Sequence, residues 1–405
     1  MVLAKKLLPL LVVVALIIAI IPGCAAKPPE TLKIGIAQPL TGGWAAWGVP
    51  VDRAARLAID DINAAGGVNA GGKTYMLEAV SEDTEADSAV AITAFKKLIY
   101  EHEVGYILGP MSSVVNKAIQ PLCEANKVIQ LFQGSYPPSP EDFYNFRGTL
   151  ISEQFAPSAF AAMVKLYPEA KTVAILNRDD EGGRIFHDVT CNVCNALGLE
   201  IVFDEFVDPH EEDFYPILTK ILPTNPDFIS VGGIPPGYHA LLIKQAREMG
   251  YTKPFLAPTG SDTAVMFDIA GAEAAEGLVG VGTADYIGLA TTPLMKDVGE
   301  RYLEKYGTQD AWSLEYYNNI LYIKAGMEAA DSIDTTAVAN VWRSPGFTMP
   351  SIYGEVSWIG EEFWGINSIV SCPLPYTQIQ SGKEVVLGVV TWEEMKPLIR
   401  AAMGD

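Results

Sequence analysis

Basic residues and cysteines are both scarce in this chain of 405 residues. It holds 28 lysines and arginines against 49 acidic residues, which gives a net charge of −21 at pH 7. So acidic a surface repels nucleic acid and anionic lipid, and we expect no nucleic-acid partner. The five cysteines are too few for a fold built on disulfides, and the sequence does not say which of them pair.

Motifs of several enzyme classes are missing as well. No Gly-x-Ser-x-Gly elbow for a nucleophilic serine occurs. Gly280 and Gly282 lack the third glycine that a dinucleotide-binding loop needs. We therefore predict a protein that is not an enzyme, with no catalytic residue and no cofactor.

A segment that imitates a phosphate-binding loop, GGVNAGGKT, spans residues 66–74. A true phosphate loop leaves a strand and opens a helix, so that the helix N-terminus faces the anion. Here a predicted helix over 51–65 runs into the glycines, and a predicted strand over 75–80 leaves them. Glycines in this position stop a helix and allow a turn. We expect a connector here rather than an ATP site.

The start of the chain indicates export. Two early lysines precede an apolar run over 7–21, which is shorter than the roughly 20 residues of a membrane-spanning helix. We predict a signal peptide over 1–23. The residues around Cys24 resemble the bacterial lipoprotein box, so Cys24 is expected to carry lipid, with 24–31 as a tether to the membrane. Loss of two lysines and no acid changes the net charge from −21 to −23.

Apolar runs rich in β-branched residues alternate with amphipathic helical stretches from residue 32 onward. In the helix predicted over 51–65, for example, Ala55, Ile59 and Ile62 form one apolar stripe. Strand–helix alternation predicts parallel sheets covered by helices. The alternation pauses near 143–152 and then restarts, so we predict an α/β protein of two lobes. The tail over 352–390 is expected to form hairpin-like strands.

Loops that follow strands of the first lobe carry aromatic residues and hydrogen-bond donors. Ligands of open parallel sheets bind beyond the carboxyl ends of the strands. Either tryptophan can line a pocket or pack on the helix, and the serines can cap a helix or seat a carboxylate. The candidate binding residues are Trp44 and Trp47 after the first strand, Ser112 and Ser113 after the third, and Gln133, Gly134 and Ser135 after the fourth.

The second lobe offers acids at matching positions. Glu181 and Asp262 each follow a predicted strand and stand near a helix start. Either carboxylate could meet a ligand ammonium, but the helix dipole favours acids there without any ligand. The sequence is compatible with both roles, ligand binding and helix capping.

His187, Cys191 and Cys194 fall on one face of a predicted helix. Three such ligands could bind zinc, but an apolar face also attracts cysteines as small buried groups. Redox cysteines normally open a helix, whereas these lie in its middle. We predict no metal site, and an exported metal-dependent enzyme remains a remote alternative.

Several stretches together resemble a known family, among them LKIGIAQPLTGGWAAWG, GYILGPMSS and FISVGGIPPGYHALLIKQAREMGY. They are similar to the type I periplasmic solute-binding proteins of ABC transporters, in the leucine/isoleucine/valine-binding branch. The resemblance implies two doubly wound parallel-sheet lobes joined by three crossovers, with the ligand in the cleft between them. We divide the chain into a first lobe of 32–150 plus about 285–350, a second lobe of 151–284 plus about 351–384, and a C-terminal segment over 385–405.

The resemblance also implies roles for individual residues. Ser113, Gln133 and Ser135 match positions that hold an amino-acid carboxylate, and Trp44 matches an aromatic wall. Glu181 stands where the family often has a tyrosine, and Asp262 is the nearest substitute for the family's acid.

The expected function is that of a lipid-anchored, extracytoplasmic binding protein that delivers a small polar solute, in the first instance an amino acid of the branched-chain type, to an ABC permease. The alternatives are a binding protein for short amides, urea or aromatic acids, and a ligand sensor.

Overall fold

A computed structural model describes residues 28–134, 136–208, 210–260, 262–282, 289–308 and 313–403. The predicted signal peptide, the lipidation residue Cys24 and Ser135 lie outside these ranges. Two β-sheets with helices packed on them dominate the described part. None of the helices in these ranges combines the length and the apolar character that a membrane span requires.

The first sheet consists of six strands, β1 (Glu30–Gln38), β2 (Val68–Ala70), β3 (Lys73–Asp83), β4 (Tyr106–Met111), β5 (Ile129–Gln133) and β6 (Asn145–Phe146). Their order across the sheet is β2-β3-β1-β4-β5-β6. All neighbours are parallel except β2 and β3. The carboxyl ends of β1, β4 and β5 therefore meet at one edge of the sheet.

The second sheet begins with five parallel strands, β7 (Thr172–Arg178), β8 (Glu200–Val207), β9 (Phe228–Gly232), β10 (Phe255–Ala257) and β11 (Val279–Val281). β7 lies between β8 and β9, and β10 lies between β9 and β11. This confirms the predicted alternation of strands and helices.

The later strands are antiparallel, as the tail pattern predicts. Two short hairpins pair β12 (Met349–Ser351) with β13 (Gly354–Val356), and β14 (Trp358–Ile359) with β15 (Ile369–Val370). Then β16 (Leu374–Gln380) and β17 (Lys383–Val390) join the second sheet beside β11. Its full order is β17-β16-β11-β10-β9-β7-β8.

The described α-helices pack on the sheets or on one another, and the amphipathic ones bury an apolar face in these contacts. In chain order they are α1 (Ala45–Ala64), α2 (Ser88–Tyr100), α3 (Ser113–Ala125), α4 (Ser152–Leu166), α5 (Glu181–Leu197), α6 (Tyr215–Ile221), α7 (Pro236–Glu248), α8 (Thr263–Ile269), α9 (Ala272–Ala275), α10 (Pro293–Tyr306), α11 (Ser313–Ala330), α12 (Thr335–Arg343), α13 (Glu361–Trp364) and α14 (Trp392–Ala402).

The chain crosses between the two sheets more than once. α11 packs on α1 and against β2, so this late helix returns to the first sheet. α14 packs on α4 and α5, beside the second sheet. The described part of the C-terminal segment 385–405 therefore packs with the second lobe. The residue boundaries of the lobes remain a proposal.

Helix α1 begins at Ala45, whereas the sequence pattern predicts a start at Val51. Trp47 is therefore helical rather than part of a loop. Gly48 permits this early start, because a Cβ atom there would lie 2.0 Å from the Pro39 carbonyl oxygen. The periodicity misses this turn, since small residues in GGWAAWG carry no apolar stripe.

The segment GGVNAGGKT is a connector, as predicted. Gly66 and Gly67 have φ angles of +104° and +83° and end α1. The remaining residues form the β2–β3 hairpin, in which Ala70 pairs with Lys73. The Lys73 ammonium lies 2.8 Å from the Glu30 carboxylate, so it neutralises an acid of β1.

Candidate functional site

The loop after β1 is anchored by Asp83 at the end of β3. The Leu40 backbone N–H donates to Asp83 Oδ1 at 2.8 Å, and the Thr41 hydroxyl donates to Oδ2 at 2.5 Å. Trp44 follows in a 3₁₀ turn, and Trp47 lies in the first turn of α1. Two neighbouring strand ends thus determine where the tryptophans stand.

The two tryptophans form an exposed aromatic face at this edge. Their ring centroids lie 5.8 Å apart in an edge-to-face arrangement. Trp44 is 43% exposed and Trp47 is 38% exposed, so neither side chain is buried in the core. Indole rings in such a position provide a broad apolar wall with a polar N–H. Their contact with a ligand stays a prediction.

The two serines after β4 have different roles. Ser112 is the N-cap of α3, and its hydroxyl accepts from the Val115 backbone N–H at 3.4 Å. Ser113 is the first residue of the helix, and its hydroxyl oxygen lies 3.3 Å from where a Cβ on Gly134 would be. The structure therefore brings together Ser113 and the loop after β5. A hydroxyl beside a helix N-terminus suits a carboxylate.

Gln133 is partly committed to another contact. Its side-chain carbonyl oxygen accepts a hydrogen bond from the Tyr316 hydroxyl of α11. This bond links the loop after β5 to a helix that lies about 180 residues later in the sequence. Gln133 lies at the predicted edge, but one of its polar atoms is used within the protein.

Sequence reasoning missed two buried amides at strand ends. Gln38 ends β1 and is fully buried, while Asn177 lies near the end of β7 and is 1% exposed. None of their side-chain nitrogen and oxygen atoms has a hydrogen-bond partner among the described residues. Buried amides normally have a hydrogen-bond partner, and ordered water commonly supplies it. A polar residue that closes an apolar strand is the sequence signal.

Glu181 does not offer the free carboxylate that the sequence suggests. It is the first residue of α5, and its carboxylate pairs with the ammonium of Lys117 on α3. Lys117 Nζ also lies 5.4 Å from the centroid of the Tyr136 ring. This ion pair joins a helix of the first lobe to a helix of the second. A cation of the protein itself thus occupies the carboxylate expected to meet a ligand ammonium.

Asp262 is likewise engaged within its own helix. It is the N-cap of α8, and its carboxylate accepts from the Val265 backbone N–H at 3.0 Å. Asp180 caps α5 in the same manner through the Gly183 N–H at 2.7 Å. Helix capping and the helix dipole therefore account for the positions of Asp262 and Asp180 without a ligand.

A buried arginine, Arg147, contacts the residues that follow β5 at the edge of the first sheet. Arg147 is fully buried, and its guanidinium lies 3.3 Å from the Asp142 carboxylate. Its guanidinium carbon is 4.9 Å from the Phe132 ring centroid and 5.3 Å from that of Tyr136. Its backbone N–H donates to Ser368, on the return crossover. Burial lowers the pKa of Arg147, and the neighbouring Asp142 carboxylate opposes that shift. This cluster holds the loop after β5 in place.

The face that carries His187 and two cysteines lies away from this edge. Cys194 is fully buried in the core, so it cannot join the other two residues as a surface ligand. Burial, reinforced by the charges of Asp204 and Asp188, raises the pKa of Cys191 to about 11. A thiol with so high a pKa is a poor nucleophile at neutral pH.

The sequence is similar to a family of periplasmic binding proteins and to several of its amino-acid-binding members. The family model described as periplasmic binding protein matches residues 31–382. The chain is 26% identical over 334 residues to the Leu/Ile/Val-binding protein BraC3 of Rhizobium johnstonii, covering 81% of this chain and 87% of that protein. It is 25% identical over 328 residues to the leucine-, isoleucine-, valine-, threonine- and alanine-binding protein of Pseudomonas aeruginosa, covering 80% and 84% of the two chains.

Solved structures share the fold. LivJ of Streptococcus pneumoniae, a branched-chain amino acid transporter substrate-binding protein in complex with isoleucine, superposes with a TM-score of 0.73 at 22% identity, over 89% of this chain and 100% of that one. A solute-binding protein of an R. palustris ABC transporter, in complex with benzoate, superposes with a TM-score of 0.72 at 17% identity, over 89% and 97%.

Proposed function

The chain belongs to the periplasmic binding protein family, and on this premise we propose that it binds a small carboxylate solute, in the first instance a branched-chain amino acid. Its architecture is that of the type I members, with two lobes. Proteins of this family are extracytoplasmic solute-binding components rather than enzymes. The ligand is expected in the cleft between the lobes and is delivered to an ABC permease.

The seat for a carboxylate at the start of α3 carries this proposal. Ser113 and Gly134 come together at the carboxyl edge of the first sheet, and the backbone N–H groups of the helix start point in the same direction. Trp44 and Trp47 supply an apolar wall nearby. This combination suits a ligand with an anionic end and an apolar body.

The second lobe favours a second candidate ligand class. Glu181 is paired with Lys117, and Asp262 caps a helix, so both acids suggested for a ligand ammonium already have partners. A carboxylate without an ammonium group, such as an aromatic acid, would use the first-lobe seat and leave these contacts intact. An amino acid must instead displace Lys117 or use another acceptor.

Membrane attachment is a further part of the proposal. Cleavage before Cys24 and lipidation of its thiol would hold the protein at the membrane, next to the permease. A ligand sensor would use the same cleft, and the residues of the cleft do not distinguish the two roles.

Mass spectrometry of ligand released from the purified protein tests the proposal, together with a thermal-shift panel. The panel pairs each amino acid with its deaminated analogue, such as valine with 3-methylbutanoate, and includes benzoate. Stabilisation by valine, leucine or isoleucine alone supports an amino-acid site. Equal or greater stabilisation by the deaminated acids supports the second class. No shift with any carboxylate would refute a carboxylate seat.

A further inference from the structure

A second cluster of polar side chains lies on the second lobe, away from the cleft. His187 and Cys191 stand one turn apart on α5, and Asp204 faces them from β8, the edge strand of the second sheet. His187 Nε2 lies 2.9 and 2.8 Å from the two oxygens of Asp204 and 3.4 Å from Cys191 Sγ. The ligand atoms of all three residues lie within 4.8 Å of one another.

The histidine ring is oriented from its other side. His187 Nδ1 lies 3.2 Å from Asp188 Oδ1, so a proton on Nδ1 donates to that carboxylate. Nε2 faces the Asp204 carboxylate at hydrogen-bond distance and Cys191 beside it, so without a cation it donates a proton to that carboxylate, and a bound cation would replace this proton. The Phe206 ring, with its centroid 4.8 Å from that of the imidazole, limits movement of the ring. A carboxylate behind a metal-binding histidine is the usual outer-shell arrangement.

We propose that His187, Cys191 and Asp204 form a binding site for a divalent cation of the zinc class. An imidazole nitrogen, a thiolate and a carboxylate oxygen are all common zinc ligands, and a water molecule completes the tetrahedron. The exposed fraction of the Asp204 side chain, 37%, leaves room for that water. The cation takes the place of the thiol proton, which passes to solvent.

The two spacings from His187 Nε2 are close to those around a bound cation, while the Asp204–Cys191 spacing, which is within 4.8 Å, would shorten on binding. Bond lengths of roughly 2.0 to 2.3 Å place the ligand atoms of a tetrahedral zinc site about 3.3 to 3.6 Å apart. The distance from sulfur to nitrogen, 3.4 Å, already falls in that interval. The distances from nitrogen to the Asp204 oxygens must lengthen by about half an ångström, which rotation of a partly exposed side chain supplies.

The sequence could suggest only part of this site. His187, Cys191 and Cys194 share a helix face by their spacing, but Cys194 points into the core. The third ligand comes from β8, because strand pairing brings that strand beside β7 and under α5. The bound cation would tie α5 to the edge strand, so its effect is expected on the stability of the second lobe rather than on solute binding.

Cobalt absorption of the purified full-length protein tests the site, with Co²⁺ as the probe and Zn²⁺ as the competitor. We expect one equivalent of Co²⁺ to produce thiolate-to-cobalt absorption in the near ultraviolet, which Zn²⁺ abolishes. Cys191→Ser should remove this band, and His187→Gln or Asp204→Asn should weaken binding at least tenfold. Asp188→Ala should weaken binding by roughly 10- to 100-fold, since it removes the outer-shell partner of His187.

A matched control exists elsewhere on the surface. His210 Nδ1 lies 3.4 Å from Asp208 Oδ1, a histidine–carboxylate pair with no neighbouring thiol in the described structure. His210→Gln should leave the band and the affinity unchanged. Unfolding temperatures without metal show whether each variant is folded. Absence of the band in the wild-type protein would overturn the proposal, as would its persistence in Cys191→Ser or equal binding by His187→Gln.

Discussion

Replacing Ser113 by alanine is expected to weaken solute binding. Ser113 does not cap α3, and its hydroxyl lies beside the Gly134 position at the proposed carboxylate seat. A hydrogen bond to a charged group contributes about 1.5 to 3 kcal/mol. The helix N–H groups remain in the variant, so we expect the lower end, or roughly a tenfold rise in Kd.

The neighbouring Ser112→Ala variant is the matched control. Ser112 caps α3, but its bond to Val115 is long at 3.4 Å. Loss of the cap should therefore cost about 0.5 to 1 kcal/mol of the free energy of unfolding. Its effect on Kd should be small, because its hydroxyl is occupied by the helix.

Isothermal titration with the compound that gives the largest thermal shift measures Kd for both variants, and chemical denaturation measures their stability. We expect Ser113→Ala to lose affinity, and Ser112→Ala to lose stability with little change in affinity. Unchanged affinity in Ser113→Ala, or a larger loss of affinity in Ser112→Ala, would refute the assignment of the seat.

Three further predictions concern other parts of the molecule. Lys117→Met should loosen the link between the lobes by at most about 1 kcal/mol, since both charged side chains of the pair with Glu181 are more than a third exposed. Small-angle scattering should show a more open protein, and high salt should have the same effect on the wild type. A scattering profile that neither the substitution nor salt changes would contradict this role of the ion pair. Burial raises the pKa of Glu153 to about 7, so its neutral form favours the fold below the unfolded pKa and this stability is lost as pH rises through about 7. Glu153→Gln should therefore remove a fall of roughly 3 kcal/mol in the free energy of unfolding between about pH 5 and about pH 8, measured by denaturation at each pH; an unchanged pH profile would count against a buried, protonated carboxyl. Gly48→Ala should lower the unfolding temperature measured by circular dichroism, because its Cβ would lie 2.0 Å from the Pro39 carbonyl oxygen, and a variant as stable as the wild type would disprove that close approach.

Local pattern accounts for most of the architecture. The apolar run over 75–80 predicts a strand there, and the structure extends it as β3 from Lys73 to Asp83, because polar residues at its two ends join the ladders with β2 and β1. The order of elements around GGVNAGGKT was sufficient to exclude a phosphate loop, since that test needs only the direction of the chain. The start of α1 escaped the pattern, because Gly48 acts through a contact with Pro39 rather than through periodicity.

The sequence predicts only part of the candidate site. The chain order places Ser113 and Gly134 at the ends of strands, and the rule for parallel sheets then brings them together. The partners of the charged groups did not follow from the sequence. Glu181 pairs with Lys117, 64 residues earlier. Asp204 joins His187 from the next strand, 17 residues later.

The sequence alone determined the fold class and the family resemblance, because these depend on short-range patterns and chain order, and it predicts the sheet edge at which a ligand is expected. Only the tertiary structure decided which acids are free and which are paired. It also decided which amides are buried without a hydrogen-bond partner among the described residues, as for Gln38 and Asn177. The reason is physical: the state of a charge or an amide depends on its neighbours in space, and the partner of Glu181 comes from the other lobe while that of Asp204 comes from a neighbouring helix.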